Sequence, residues 1–321
     1  MTGDGNRTMT FRHLPCHRLS GRRIIERPVP SEGEGTVAVE VRPITGFDVP
    51  AVANFLHEHL NTRVPADAWE RSVRVPWTVD TPNHGFMLTD DGAVVGAYLA
   101  FYSQRPIDGR VERFCNLGAW CVLPSHRFHG IRLLKALLAQ DGYHFTDFSP
   151  SGSVVPLNER LKFEFFDTAT ALVPNLPWPT RPGRDVISSD PALIERTLTG
   201  SDLEIYRDHA MTAATRHVVL VRGTESCYVL FRRDRRKNLP LFASVLHVSN
   251  PDLFARMARP FARHLLIRHR VPATLAELRV VQCRPHPSVL LRSPRRKMFK
   301  SPSLKADQID YLYSELVCVA W

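Results

Sequence analysis

Four prolines, Pro174, Pro177, Pro179 and Pro182, crowd into VPNLPWPTRPGR (residues 173–184), and they constrain the fold more than any other stretch. Proline has no N–H to donate and a fixed φ, so neither a helix interior nor a central strand can run through such a segment. It reads as an extended connector that divides the 321 residues into two bodies. That division suits a chain of this length at roughly 150 residues per domain. The expected organisation is a flexible basic arm at 1–35, a first domain at 36–173, the Pro-rich connector at 174–200 and a second domain at 201–321.

The same order of elements is predicted on both sides of the connector. In the first half, residues 36–43 alternate as a strand, and Asp48 with Pro50 opens a helix to Leu60. Asp90, Asp91 and Gly92 then turn a hairpin between residues 85–89 and 93–102. FCNLGAWCVL (114–123) forms a strand that stops at Pro124, and HGIRLLKALLAQ (129–140) has helical spacing. A strand at 143–148, a short turn or helix at 153–161 and a strand from Phe163 follow. The second half predicts a helix near 203–211, strands at 217–223, 227–233 and 241–249, and a long helix over 252–269. It closes with a strand near 278–282 and another in YLYSELVCVAW (311–321). The pattern predicts an α/β chain of two copies of one fold.

Charge separates the halves. Residues 37–175 carry 12 basic and 15 acidic side chains, whereas residues 176–321 carry 24 and 13, so nearly all of the net charge of +10 lies in the second half. Such a surface suits an anionic partner. The runs RRDRRK (232–237) and RSPRRKMFK (292–300) read as solvated hairpin tips and loops, and no aromatic-interleaved stretch accompanies them, which argues against nucleic acid. Six scattered cysteines without a CxxC pair argue against disulfides and structural zinc, and His13, Cys16 and His17 lack a fourth ligand nearby, so no metal is expected. No apolar run reaches the ~20 residues of a spanning helix, and the amino-terminal arm lacks an apolar signal core. A cytoplasmic protein without a transmembrane segment is the expectation.

The most informative stretch is RFHGIR (127–132), which opens a helix directly after a strand and Pro124. Consecutive amides at such a place form an anion site reinforced by the helix dipole. Here the sequence resembles the GCN5-related N-acetyltransferase superfamily, whose acyl-CoA loop follows Q/R-x-x-G-x-G/A. Arg127 and Gly130 match, while Arg132 stands where the pattern has Gly or Ala. Downstream, LNERLKFE (157–164) is similar to the family's closing pattern, with Asn158 in the place of its Tyr and Lys162 in the place of its Gly. Asn116 takes the place of the Glu base used by one branch, and an amide cannot accept a proton at neutral pH.

The resemblance implies two domains of the superfamily's fold, each a mixed, mostly antiparallel sheet flanked by helices. The second is degenerate, because HVSNPDLFAR (247–256), not a glycine turn, precedes its long helix. It further implies that acyl-CoA is the co-substrate, with Cys121, Val122 and Leu123 on the strand beside its pantetheine arm. The amides of Phe128, His129, Gly130, Ile131 and Arg132 would hold the diphosphate, and Arg127 would orient the loop. An amine or hydroxyl would attack the thioester, and an amide near Cys121 or Val122 would face the oxyanion. Among nearby polar groups (His144, Asp147, Ser149, Ser151), strand alternation sends His144 and Asp147 to opposite faces, and Asp147 is taken as the catalytic carboxylate, with Asn116 and Asn158 as further site residues. The acceptor is expected to be a small molecule or glycan precursor, and the basic second half favours an anionic one. The alternative is a non-catalytic module that senses or binds acyl-CoA.

Overall fold

The computed structural model describes residues 39–179, 185–236 and 239–321, so the predicted arm at 1–35 lies outside the described residues. The chain runs β1 (Glu40–Pro43), α1 (Val49–His59), α2 (Ala66–Val73), β2 (Gly85–Asp90), β3 (Ala93–Ile107) and β4 (Arg110–Val122). A 3-10 segment (Pro124–His129) passes directly into α3 (Gly130–Leu138), followed by β5 (His144–Asp147), α4 (Val155–Arg160) and β6 (Glu164–Phe165). Next come β7 (Thr170–Pro174), β8 (Asp185–Ser188), α5 (Pro191–Thr197), α6 (Gly200–His209), β9 (Thr215–Arg222), β10 (Glu225–Arg236) and β11 (Leu239–Val248). The chain ends with α7 (Pro251–His269), β12 (Ala273–Glu277), α8 (Leu278–Val281), β13 (Val289–Leu290), β14 (Met298–Lys300), a 3-10 turn (Ala306–Gln308) and α9 (Glu315–Cys318).

Two mixed, mostly antiparallel sheets result. Their orders are β1-β2-β3-β4-β5-β14-β6 and β13-β7-β12-β11-β10-β9-β8. Each contains one parallel pair joined through a helix, β4 with β5 across α3 and β11 with β12 across α7. The hairpins follow local chemistry. Asp91 and Gly92 both take positive φ (47° and 75°) between β2 and β3, and Asp108 and Gly109 do the same (49° and 77°) between β3 and β4, the combination a two-residue primed turn requires.

The strand pairing does not follow the expected boundary near residue 174. β7 leaves the first half to pair with β12, and β14 returns from the second half to sit between β5 and β6. Each half thus completes the other's sheet. Residues 185–197 of the expected connector form β8 and α5. The strand expected near 278–282 is α8, with β12 just before it, and YLYSELVCVAW contains α9, capped by Ser314 Oγ accepting from Leu316 N.

That last correction matters most. Ile309, Tyr311, Leu312, Leu316, Val317 and Val319 are buried in one apolar cluster with Phe101 of β3, Trp69 of α2 and Val219, Tyr228 and Leu246 of the second sheet. Burying each such side chain contributes about 1.5–3 kcal/mol. The carboxy-terminal segment is therefore held between the two sheets. A second cluster packs α3 and α4 on the outer face of the first sheet, and a third packs α7 on the second.

Candidate active site

β4 and β5 pair only at Phe114–His144, Cys115–Phe145 and Asn116–Thr146. Beyond these residues the strands part. On its other edge β4 pairs with β3, but Ala119 and Trp120 both fall opposite Tyr98, a bulge at which Ala119 takes φ 56°. A cavity of about 630 Å³ occupies the split. Leu117–Trp120 line one side of it and Asp147, Ser149, Pro150 and Ser151 the other. Its outer wall comes from Asn61 and Arg63 after α1, Ala213, Ala214 and Arg216 around the start of β9, Arg232–Arg235 of β10, Arg295 and Trp321.

The three predicted catalytic residues meet at this split. Asp147, the last residue of β5, is 4% exposed. Its Oδ2 accepts from Asn158 Nδ2 of α4 at 2.9 Å and its Oδ1 from Ser149 N at 3.3 Å. Asn116 Nδ2 donates to Thr146 Oγ1 at 3.1 Å, tying β4 to β5, and Asn116 Oδ1 accepts from Glu315 N at 2.8 Å. His144 faces elsewhere, between Glu112 Oε2 (2.9 Å) and Ser301 Oγ (2.8 Å), as strand alternation requires.

Glu315 is the residue that sequence reasoning missed. It is fully buried, its Oε1 accepts from Ser149 Oγ at 2.9 Å, and its Oε2 has no partner among the described residues. Its backbone passes so close to β4 that a Cβ added to Gly118 would stand 2.8 Å from Glu315 Cβ. An acid inside the otherwise apolar run ELVCVAW, just after a capping Ser, was the available signal. Burial pushes the Asp147 carboxyl up to about 7, offset in part by the Asn158 and Ser149 hydrogen bonds. Burial and the neighbouring Asp147 push Glu315 up to about 8. The result is two carboxyl groups linked through Ser149, Asp147 on the cavity wall and Glu315 buried behind it, in an environment that favours their protonated forms.

The predicted cofactor residues form a different arrangement from the open loop expected. The 3-10 segment and α3 run without a break, Gly130 N donates to Arg127 O, and Gly130 has φ −55° and ψ −38°. The amides from Phe128 to Arg132 thus belong to a helical run and do not form an open cradle, because helical N–H groups past the first turn are used by the preceding carbonyls. Trp120, stacked on Tyr98 with ring centroids 4.6 Å apart, lies against Gly130. The side chains still face outward: Phe128 is 93% exposed, Arg127 is exposed, and Arg132 Nη1 donates to Val39 O at 2.8 Å. His129 and Ile131 are half-buried, as are Cys121, Val122 and Leu123 along β4 and its end, and burial raises the Cys121 thiol. What this turn offers outward is therefore side chains, Arg127, Phe128 and Arg132 among them.

The basic runs are only in part the solvated tips expected: Arg235, Arg292, Arg295 and Arg296 are exposed, and the exception is at the start of the first run. Arg232 is buried, with Nε on Asp234 Oδ1 at 2.9 Å and Nη1 on Leu316 O at 2.9 Å. It anchors the carboxy-terminal segment to β10. Arg233, Arg235 and Arg295 line the cavity. Among the described residues no group of three or more His, Cys, Asp and Glu could hold a metal ion, and no helix is long and apolar enough to cross a membrane.

No family model and no curated protein matches the sequence. Solved structures do match the fold. A GCN5-related N-acetyltransferase from Anabaena variabilis aligns over 82% of this chain and 72% of its own, with 10% identity and a TM-score of 0.53. One from Kribbella flavida aligns over 82% and 71%, with 14% identity and a TM-score of 0.51. With its two mixed, mostly antiparallel sheets flanked by helices, this chain has the fold of the GCN5-related N-acetyltransferases.

Proposed function

We propose that this chain transfers an acyl group from acyl-CoA to an amine or hydroxyl of an anionic small-molecule acceptor. The observation that carries the reading is the position of Asp147: buried, held by Asn158, and on the wall of a cavity that fills the split between β4 and β5. An acyl thioester lying in that split supplies the carbonyl to be attacked. As the acceptor's nitrogen or oxygen bonds to the acyl carbon and the bond to sulfur breaks, Asp147 takes the proton the nucleophile loses. A carboxyl raised to about 7 suits this task near neutral pH better than an ordinary aspartate would. Asn158 orients Asp147, and Asn116 holds both β5 and Glu315 in place. In this reading Arg127, Arg132 and His129 at the start of α3 are the side chains that meet the diphosphate, supported by the exposure of Arg127 and Arg132. The remaining wall, rich in arginine, favours an anionic acceptor.

Acetyl-CoA, a long-chain acyl-CoA and free CoA should each raise the melting temperature at concentrations well above their dissociation constants. With an acceptor in hand, Asp147→Asn should keep that shift and lose about 10²–10⁴-fold in CoA thiol release. No shift with any of the three would end the acyl-CoA reading. A shift with an unaffected Asp147→Asn would leave the non-catalytic alternative.

A further inference from the structure

β10 outruns its neighbour. Arg232 pairs with Thr215, the first residue of β9, so Arg233, Asp234 and Arg235 have a strand partner only on the β11 side. Before Thr215 the chain turns away through Ala213 and Ala214, whose small side chains leave the end of β10 open to the cavity, with Ala214 N on Val317 O at 3.3 Å. Six arginines line this cavity against two aspartates. Asp234 is already engaged by Arg232 Nε and Ser244 Oγ, and Asp147 by Asn158. Arg63, Arg233, Arg235 and Arg295 have no hydrogen-bond or ion-pair partner for their guanidinium groups among the described residues, and Arg233 Nε is buried without one. Arg216 spends Nη1 only on the backbone carbonyls of Thr215 and Ala213.

We infer that the end of β10 is an anion subsite, built from Arg216, Arg233, Arg235 and Arg295, that takes a phosphoryl group of the acceptor. The assignment rests on the acyl-transfer reading for the word acceptor, but not for the subsite. Several uncompensated positive charges in one cavity are costly to hold together, and a ligand group of charge near −2 relieves them better than a single carboxylate. The planar donor fork of arginine matches phosphoryl oxygens two at a time. These arginines lie on the second sheet's side of the cavity, whereas the start of α3, where a coenzyme diphosphate is expected, is not part of its lining. The reacting end of a phosphorylated acceptor then points at Asp147 on the opposite wall.

The test is isothermal titration of the full chain with inorganic pyrophosphate, phosphate, acetate and a tricarboxylate at fixed ionic strength. Pyrophosphate and phosphate should bind more tightly than either carboxylate. Arg235→Met and Arg295→Met, both at exposed positions where the fold tolerates change, should each weaken pyrophosphate by about tenfold or more, while Arg110→Met, exposed and outside the cavity, should not. Pyrophosphate binding should persist when acetyl-CoA is present in excess. Equal loss in Arg110→Met, tighter binding of the tricarboxylate, or displacement of pyrophosphate by acetyl-CoA would each overturn the assignment. If acetyl-CoA fails to bind while pyrophosphate binding depends on Arg235 and Arg295, the transferase reading falls and the anion subsite stands.

Discussion

Asn158 Nδ2 donates to Asp147 Oδ2 at 2.9 Å, joining the first turns of α4 to the last residue of β5 where both side chains are shut away from solvent. The bond favours the ionised form of Asp147 against the burial that opposes it. Asn158→Leu removes the donor. The Asp147 titration midpoint should then rise above about 7, read from the carboxyl-carbon NMR shift, with a stability loss of about 1–3 kcal/mol for the carboxylate left short of a partner. An unmoved midpoint would count against the bond as drawn.

Asp147 and Glu315 both titrate higher in the fold, at about 7 and about 8, than an ordinary carboxyl. These two groups therefore bind more protons in the fold than in the unfolded chain between about pH 4 and 8, and the stability they contribute falls as pH rises through that window. Glu315→Gln stays neutral throughout. Its melting temperature relative to the parent chain should be higher at pH 8.5 than at pH 5; equal differences at the two pH values would contradict the burial of an ionisable Glu315.

Gly118 has no room for a methyl group, since its Cβ would meet Glu315 Cβ at 2.8 Å. Gly118→Ala should cost about 1–3 kcal/mol in denaturant unfolding. Gly152→Ala, with nothing within 4 Å of the added carbon, should stay within about 0.5 kcal/mol of the parent.

Gly130 is different again. Its helical φ and ψ and the ordinary 3.4 Å contact of an added Cβ with Val122 make alanine acceptable. Gly130→Ala should fold and gain up to about 1 kcal/mol. Acetyl-CoA should bind it as before if basic side chains meet the diphosphate; loss of binding in a stable variant would restore the backbone cradle.

Three histidines, His209, His217 and His269, are held down at about 4, chiefly by burial. Their neutral forms are built in: His209 Nδ1 bonds Ile205 O, and its Nε2 accepts from Tyr313 N. The stability they lend is present above pH 6.5 and is lost as pH falls through about 4. The melting temperature of the parent chain relative to His209→Gln should therefore be lower at about pH 4.5 than at about pH 7; an equal difference at the two pH values would contradict a neutral buried His209.

Local chemistry was legible where the physics is local. Asp91-Gly92 announced a hairpin because two positive φ values are needed there, and the spacing of Leu253, Met257, Phe261 and Leu265 announced α7 because one helix face is buried. Asn158 was singled out through the family resemblance and Asp147 as a polar group on the next strand, although nothing in their spacing said that they touch. Glu315 was not legible, since its partners Asn116 and Ser149 lie 199 and 166 residues away. Arg232, Arg233 and Arg235 read as solvated because their charge is visible in sequence and the cavity they line is not.

From sequence alone came the alternation of strands and helices, the repeated order of elements on either side of the prolines, and the concentration of positive charge after them. Those features depend on side-chain period, proline geometry and composition, all of which act within a few residues. Tertiary structure alone decided that β7 and β14 trade sheets, that the start of α3 is a closed helical turn, and that the carboxy-terminal segment brings Glu315 beneath Asp147. Such outcomes are set by which apolar faces bury one another across the whole chain, and a polar group acquires its shifted acidity only after that burial has removed it from water.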